Sequence, residues 1–311
     1  MTDTEVFLQQ IITGLSNGMI IALIALGYTM VYGIVELINF AHGDLFMLGA
    51  FCALTIIGLM GESNSTTLVL LIAVPCFCAF LNYLIDRFAY RPLRNAPKLA
   101  PLVSAIGVSF ILLNIGLFWG GLPMDVFNHG QTAAAPKDFP LLISNENLFG
   151  ESVIQFSHKD LLVFLVTIPL MLGLSYLVKF TRLGKAMRAV SQNPTAAQLM
   201  GIDVNRIIGI TFIIGGALGG FSSVVYSLYN NTIYFQMGYR VGIDAFTAAV
   251  LGGIGNLPGA VLGGLLIGLI RSISDQYVAA QWTNIIVFSI LIFVLTFRPS
   301  GLLGAVVKEK V

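Results

Sequence analysis

Charged side chains are scarce in this chain: Asp, Glu, Lys and Arg make up 10% of its 311 residues, against about 25% in an ordinary soluble domain. So few charges cannot clothe a water-facing surface of normal size, which excludes a typical soluble globular protein. Cysteine is nearly absent. The three present, Cys52, Cys76 and Cys78, lie within apolar stretches and lack metal-ligand spacing, which argues against a disulfide framework and a cysteine-built metal site. They read as small buried hydrophobes. There is no G-x-x-x-x-G-K-[ST] phosphate cradle and no nucleophile–base arrangement, so no ATP hydrolysis or other enzymatic activity is expected of this chain. No cofactor, metal or nucleic-acid partner is expected either. Residues 1–8 carry Asp3 and Glu5 without a base, and no cleavable signal peptide is expected.

What is present is oil and glycine. Hydrophobic residues reach 57% and the mean hydropathy is +0.88. Apolar runs of about 20 residues recur along the length, the signature of an all-α, polytopic membrane protein. Many of the 33 glycines stand four apart inside these runs, among them Gly14/Gly18, Gly116/Gly120, Gly215/Gly219, Gly216/Gly220, Gly259/Gly263 and Gly264/Gly268. Small residues at that spacing let membrane helices approach closely. Packing within this chain is the expectation, with room for one pair to serve a partner.

Twelve of the 16 basic residues fall in three clusters: Arg87, Arg91, Arg94 and Lys98; Lys179, Arg182, Lys185, Arg188 and Arg206; Arg298, Lys308 and Lys310. Basic loops stay in the cytoplasm. The polar stretch 122–158, with Asp125, Asp138, Glu146 and Glu151 against Lys137, belongs outside. Apolar spans fall at roughly 10–32, 37–60, 67–86, 99–121, 160–180, 207–229, 240–253, 258–278 and 283–298, about nine in all (8–9). Three spans before Arg87 put the N-terminus outside, and four after Arg206 bring the C-terminus back inside. Asp86 is expected to pair locally with Arg87.

Two spans are irregular. Ahead of the apolar stretch 45–60 stand Glu36, Asn39, His42 and Asp44. Polar groups within a membrane are functional candidates, but parity places these near the cytoplasmic face, solvated or capping the second span. The seventh span runs about ten apolar residues into Gly252, Gly253, Gly255 and Asn256. That is roughly half a bilayer. Interrupted helices are tolerated where they are buried in protein or line a cavity. The break and Asp244, near the outer end of the same span, are therefore candidates for a translocation route.

The stretch TRLGKAMRAVSQNPTAAQLMGI (181–202) is polar and basic. Within it Asn193 suits an N-cap, Pro194 a first helical position, and Thr195, Ala196 and Ala197 lead to Gly201, a left-handed stop. Two turns are unstable alone, so something must hold them. Small exposed alanines would let a partner surface come close.

Pro194-Thr195-Ala196-Ala197-x3-Gly201 resembles the "EAA…G" cytoplasmic signature of permease subunits of bacterial ABC importers. GYTMVYGIVELINFAHGDLFMLGAF (27–51), AYRPLRNAPKLAPLVSAIG (89–107), DAFTAAVLGGIGNLPGAVLGGLLIGL (244–269) and RPSGLLG (298–304) extend the resemblance to the branched-chain amino acid permease family, LivH type, over most of the chain. Thr195 departs from the glutamate that the signature often carries, removing one ion pair with an ATPase.

The resemblance implies a single permease domain over 1–311, with a cytoplasmic coupling segment at 181–203 and an external loop at 122–158. It implies an inner-membrane location, alternating access, and the transport of branched-chain or other neutral amino acids. It also implies partners: two ATP-binding subunits holding ATP and Mg, a second related permease subunit as heterodimer partner, and an external solute-binding protein. Lys185 and Arg188 flank the docking region and serve equally as topology determinants. A permease for urea or short amides remains an alternative, as does a secondary transporter or channel.

Overall fold

The computed structural model describes residues 3–35, 39–94, 96–97, 99–130, 132–150 and 153–304. Glu36, Lys98, Glu151, Lys308 and Lys310, all used in the sequence reading, lie outside the described residues. Eleven α-helices are described: α1 (Asp3–Val35), α2 (Ala41–Met60), α3 (Asn64–Ile85), α4 (Leu99–Gly120), α5 (His158–Phe180), α6 (Arg182–Gln192), α7 (Pro194–Leu199), α8 (Val204–Asn230), α9 (Met237–Gly252), α10 (Leu257–Ser274) and α11 (Ala280–Phe297). The described strand pairing is a two-residue ladder joining Lys137–Asp138 to Thr232–Ile233.

Seven described helical stretches are long and apolar enough to cross a membrane. The last of them, Leu257–Phe297, has 41 residues, about twice a bilayer crossing. It turns back at Ala279, whose φ of 139° breaks the helix, and so divides into α10 and α11. α9, at 16 residues, is too short to cross as a regular helix. The expected segments are thus all present, one of them truncated and two joined.

Helices α1, α2, α8, α9 and α10 form the centre, while α4 and α5 leave most of their apolar surface uncovered. In hydrocarbon, apolar side chains gain little by meeting one another, so close backbone packing holds helices together. The α1–α10 contact is the most extensive and shows why glycine is needed. A Cβ on Gly268 would sit 2.3 Å from the Cα of Gly18, and one on Gly264 would sit 2.5 Å from the Cα of Ala22. Gly216 and Gly220 do the same for α8 against α3, where the Asn82 side chain also donates to the Phe212 carbonyl at 2.6 Å. The expected packing within this chain is what these glycines do.

The two ends of the bundle differ. At one end Gln9 of α1 exchanges hydrogen bonds with the backbone of Gln155. There Asp160, in a capping box with Ser157 at the start of α5, accepts from Ser16 at 2.6 Å and from Tyr229 at 3.2 Å. Lys137 is buried in the loop 122–158 and donates to the carbonyls of Thr132 (2.6 Å) and Phe127 (3.3 Å). That burial pushes its ammonium pKa below the ordinary lysine value. At the other end Gly33 of α1 meets Gly255, and a small cavity there is lined by Met187 and Arg188 of α6. The start of α1 therefore lies on the side of loop 122–158, and the segment ending at 304 lies on the side of α6 and α7. Asp86 pairs with Arg94, not with its neighbour Arg87. The chain turns after Tyr90 and brings the longer-range guanidinium back, and Arg94 also reaches Asn205 at the start of α8 (2.5 Å).

Candidate functional site

The grammar of 181–202 is realised. Thr181 caps α6, accepting from the Gly184 amide at 3.1 Å. Asn193 caps α7, accepting from the Ala196 amide at 2.9 Å. Pro194 opens the helix, Thr195 and Ala196 are exposed, and Gly201 ends the turn at φ 81°. Asp203 then caps α8. This short helix is held by α6, whose Gly184, Met187 and Val190 are buried. Arg188 donates to the carbonyls of Val178 and Lys179 and so closes the end of α5.

One expectation is corrected here. Ala197 is 4% exposed and faces the bundle, whereas Leu199 and Met200 are 85% and 82% exposed. A helix of six residues has one inward face, and Ala197 occupies it. The large apolar side chains that this segment exposes are Leu199 and Met200, beside the exposed Thr195 and Ala196, and the sequence reading did not single the two out.

The polar group before the second span sits deeper than parity suggested. Asn39 is buried and accepts from the Tyr90 hydroxyl at 2.9 Å. His42 is 1% exposed, edge-on to Tyr28 at 4.7 Å, and neither ring nitrogen has a partner among the described residues. Asp44 is 2% exposed and accepts from Ser109, halfway along α4. α2 therefore begins within the bundle, at the level of the middle of α4. The three side chains are neighbours in sequence but do not form one site: Asn39 and His42 are enclosed, while Asp44 lines a cavity.

That cavity, of about 680 Å³, lies between α2, α4 and α9, and its wall is mainly apolar: Phe40, Ile106, Phe110, Leu113 and Phe246. Beside it α2 and α9 cross at backbone distance. A Cβ on Gly43 would lie 2.3 Å from the Gly238 carbonyl oxygen. A second cavity of about 350 Å³ opens at the end bearing loop 122–158, between α1, α8, α9 and α10, and polar groups such as Asn17, Asn230 and Asp244 line it. Arg240 borders both cavities.

Asp244 is not a free carboxylate. Arg271 donates to it at 2.5 Å and also to Asn284 at 2.8 Å. Arg271 is legible in the sequence as a charge inside an apolar run, which is a functional signal by default. The break after α9 also departs from expectation. The carbonyls of Leu251 and Gly252 accept from the amides of Leu302 and Leu303, so the segment 298–304 completes the helix end. Gly253, at φ 105°, packs against Gly304. Asn256 caps α10 through the Gly259 amide and donates to the Leu303 carbonyl at 2.5 Å. Backbone groups expected to face a cavity are satisfied by protein. Of this group Gly255 alone is exposed, on the side of α6.

A bundle of apolar helices with a short helix mounted at one end and two cavities sharing Arg240 is the build of a polytopic membrane protein. The chain belongs to the family described as the permease component of branched-chain amino acid transport systems, which matches residues 10–295. It is 41% identical to the high-affinity branched-chain amino acid transport system permease protein BraD of Pseudomonas aeruginosa, over 100% of both chains. It is 36% identical to the permease protein LivH of Escherichia coli K12, over 98% of each. A probable branched-chain amino acid transport permease protein LivM of Methanocaldococcus jannaschii is 29% identical over 40% of each chain. No solved structure matches.

Proposed function

We propose that this chain is the membrane permease subunit of an ATP-driven importer that carries branched-chain amino acids into the cytoplasm by alternating access. The likeness to BraD across the whole of both chains carries the reading. Residues 1–311 act as one permease domain, a transporter component rather than an enzyme. The energy comes from two ATP-binding partner subunits holding ATP and Mg, docked on α7 through 194–201. The partial likeness to LivM supports a second, related permease as heterodimer partner. An external solute-binding protein delivers the amino acid to the end carrying loop 122–158. The apolar cavity between α2, α4 and α9, with Asp44 in its lining, belongs to the route. A tagged copy purified from mild detergent is expected to bring an ATP-binding subunit with it. A secondary transporter or channel would bring none, and its absence would remove the importer reading.

In this arrangement the start of α1 and loop 122–158 face outward, while 181–203 and the C-terminus face the cytoplasm of a bacterial inner membrane. The clustering of basic residues supports that orientation. With Cys52, Cys76 and Cys78 replaced, a Thr4→Cys variant in intact cells is expected to react with a membrane-impermeant thiol reagent, and a Lys308→Cys variant is expected to stay unlabelled. The reverse pattern would invert the orientation.

A further inference from the structure

Two ionisable side chains on the cavities make no salt bridge among the described residues, Asp44 and Arg240. Asp44 is buried in the lining of the apolar cavity, accepts from one neutral hydroxyl, and its Oδ1 has no partner among the described residues. A carboxylate can take about four hydrogen bonds, and a buried one is costly without a cation. No basic side chain forms a salt bridge with it among the described residues. Arg240 is exposed and makes no hydrogen bond or salt bridge among the described residues; Asp244, on the same cavity, feels its charge without direct contact. Asp244 is already held by Arg271. The structure thus keeps one pair closed and leaves an acid and a base without a directly bonded partner of opposite charge, the acid in the lining of the apolar cavity and the base where that cavity and the polar one share a wall.

A branched-chain amino acid carries the complementary set: an ammonium, a carboxylate and an apolar side chain. We propose that Arg240 receives the α-carboxylate of such a zwitterion as it passes from the polar outer cavity into the apolar one, where Asp44 meets the α-ammonium and Ile106, Phe110 and Phe246 receive the side chain. The permease then selects zwitterions itself, independently of the delivering protein. Urea and short amides bring no charge to either group. The proposal deepens the transport reading and rests on it.

The test measures competition against radiolabelled leucine on the purified permease–ATPase assembly, without binding protein. The competitors are leucine, 3-methylbutylamine (leucine without its carboxylate) and 4-methylpentanoate (leucine without its ammonium). The unaltered assembly is expected to favour leucine over either analogue by about tenfold or more, the scale of one charge-assisted hydrogen bond. Arg240→Gln should erase the preference over the amine and keep the preference over the acid, and Arg240→Lys should restore part of it. Asp44→Asn should do the converse. Arg240 is exposed, so its replacement leaves folding intact, and the proposal stays testable if Asp44→Asn fails to fold. Unchanged preferences in Arg240→Gln would overturn it. The route reading is separated by an Ile106→Cys variant carrying a bulky thiol adduct. If the adduct stops leucine uptake while the charge variants keep their preferences, the route stands and the zwitterion contacts fall. If neither has an effect, both fall.

Discussion

Replacing Leu199 and Met200 together with glutamate is expected to abolish ATP-driven uptake and release the ATP-binding subunit, while the bundle stays folded. The two side chains are 85% and 82% exposed at the tip of α7, and neither supports the packing of this chain. In the proposed docking a partner covers them. Burying two carboxylates in an apolar groove costs several kcal/mol, so docking affinity should fall by about a hundredfold or more. Ala197→Glu tests something else. Ala197 is 4% exposed, so a charge there should unseat α7 from α6 and α8, lowering thermal stability as well. The measurement is retention of the ATP-binding subunit on affinity resin, with a melting curve for each variant. A double variant that keeps the subunit and transports at the normal rate would remove α7 from the docking site.

The second large effect is expected at the crossing of α2 and α9. A Cβ on Gly238 would lie 2.6 Å from the Gly43 carbonyl oxygen and 2.9 Å from the Cα of Asp44. Both neighbours are backbone, so no rotamer change relieves the clash and α9 must move. Gly238→Leu should destabilise the bundle by about 3 kcal/mol, the upper end for overpacking. Leucine uptake should be lost with it, because the same shift displaces Asp44 and Arg240. Gly173 on α5 has nothing within 4 Å, and Gly173→Ala should unfold at or slightly above the normal temperature, since alanine is the better helix former. Thermal unfolding in detergent decides between them. A Gly238→Leu protein melting at the normal temperature would show that the crossing is not tight.

The spans were legible because apolar runs are long and few charges interrupt them. The α7 hairpin was legible because Asn193, Pro194 and Gly201 each carry a local backbone reason. Its orientation was not, since in a helix of under two turns Ala197 and Leu199 are equally apolar and only packing against α6 separates them. The depth of Asp44 was hidden because parity assumes that a span begins at a membrane face, whereas α2 begins inside. Long-range partners escaped for the same reason: Arg271 for Asp244, and Leu302 and Leu303 for the end of α9, are distant in sequence and adjacent only after folding. The charge of Arg271 within its apolar run was the one such signal in plain view.

ATP-dependent leucine uptake into proteoliposomes tests the central claim most directly. The assembly containing this chain is reconstituted with its ATP-binding subunits and solute-binding protein on the appropriate sides. Uptake of radiolabelled leucine is expected only with hydrolysable ATP, competed by isoleucine and valine, and lost in the Leu199→Glu/Met200→Glu variant. Uptake running at the same rate without ATP, driven by an ion or leucine gradient alone, would contradict the account and identify a secondary transporter or channel.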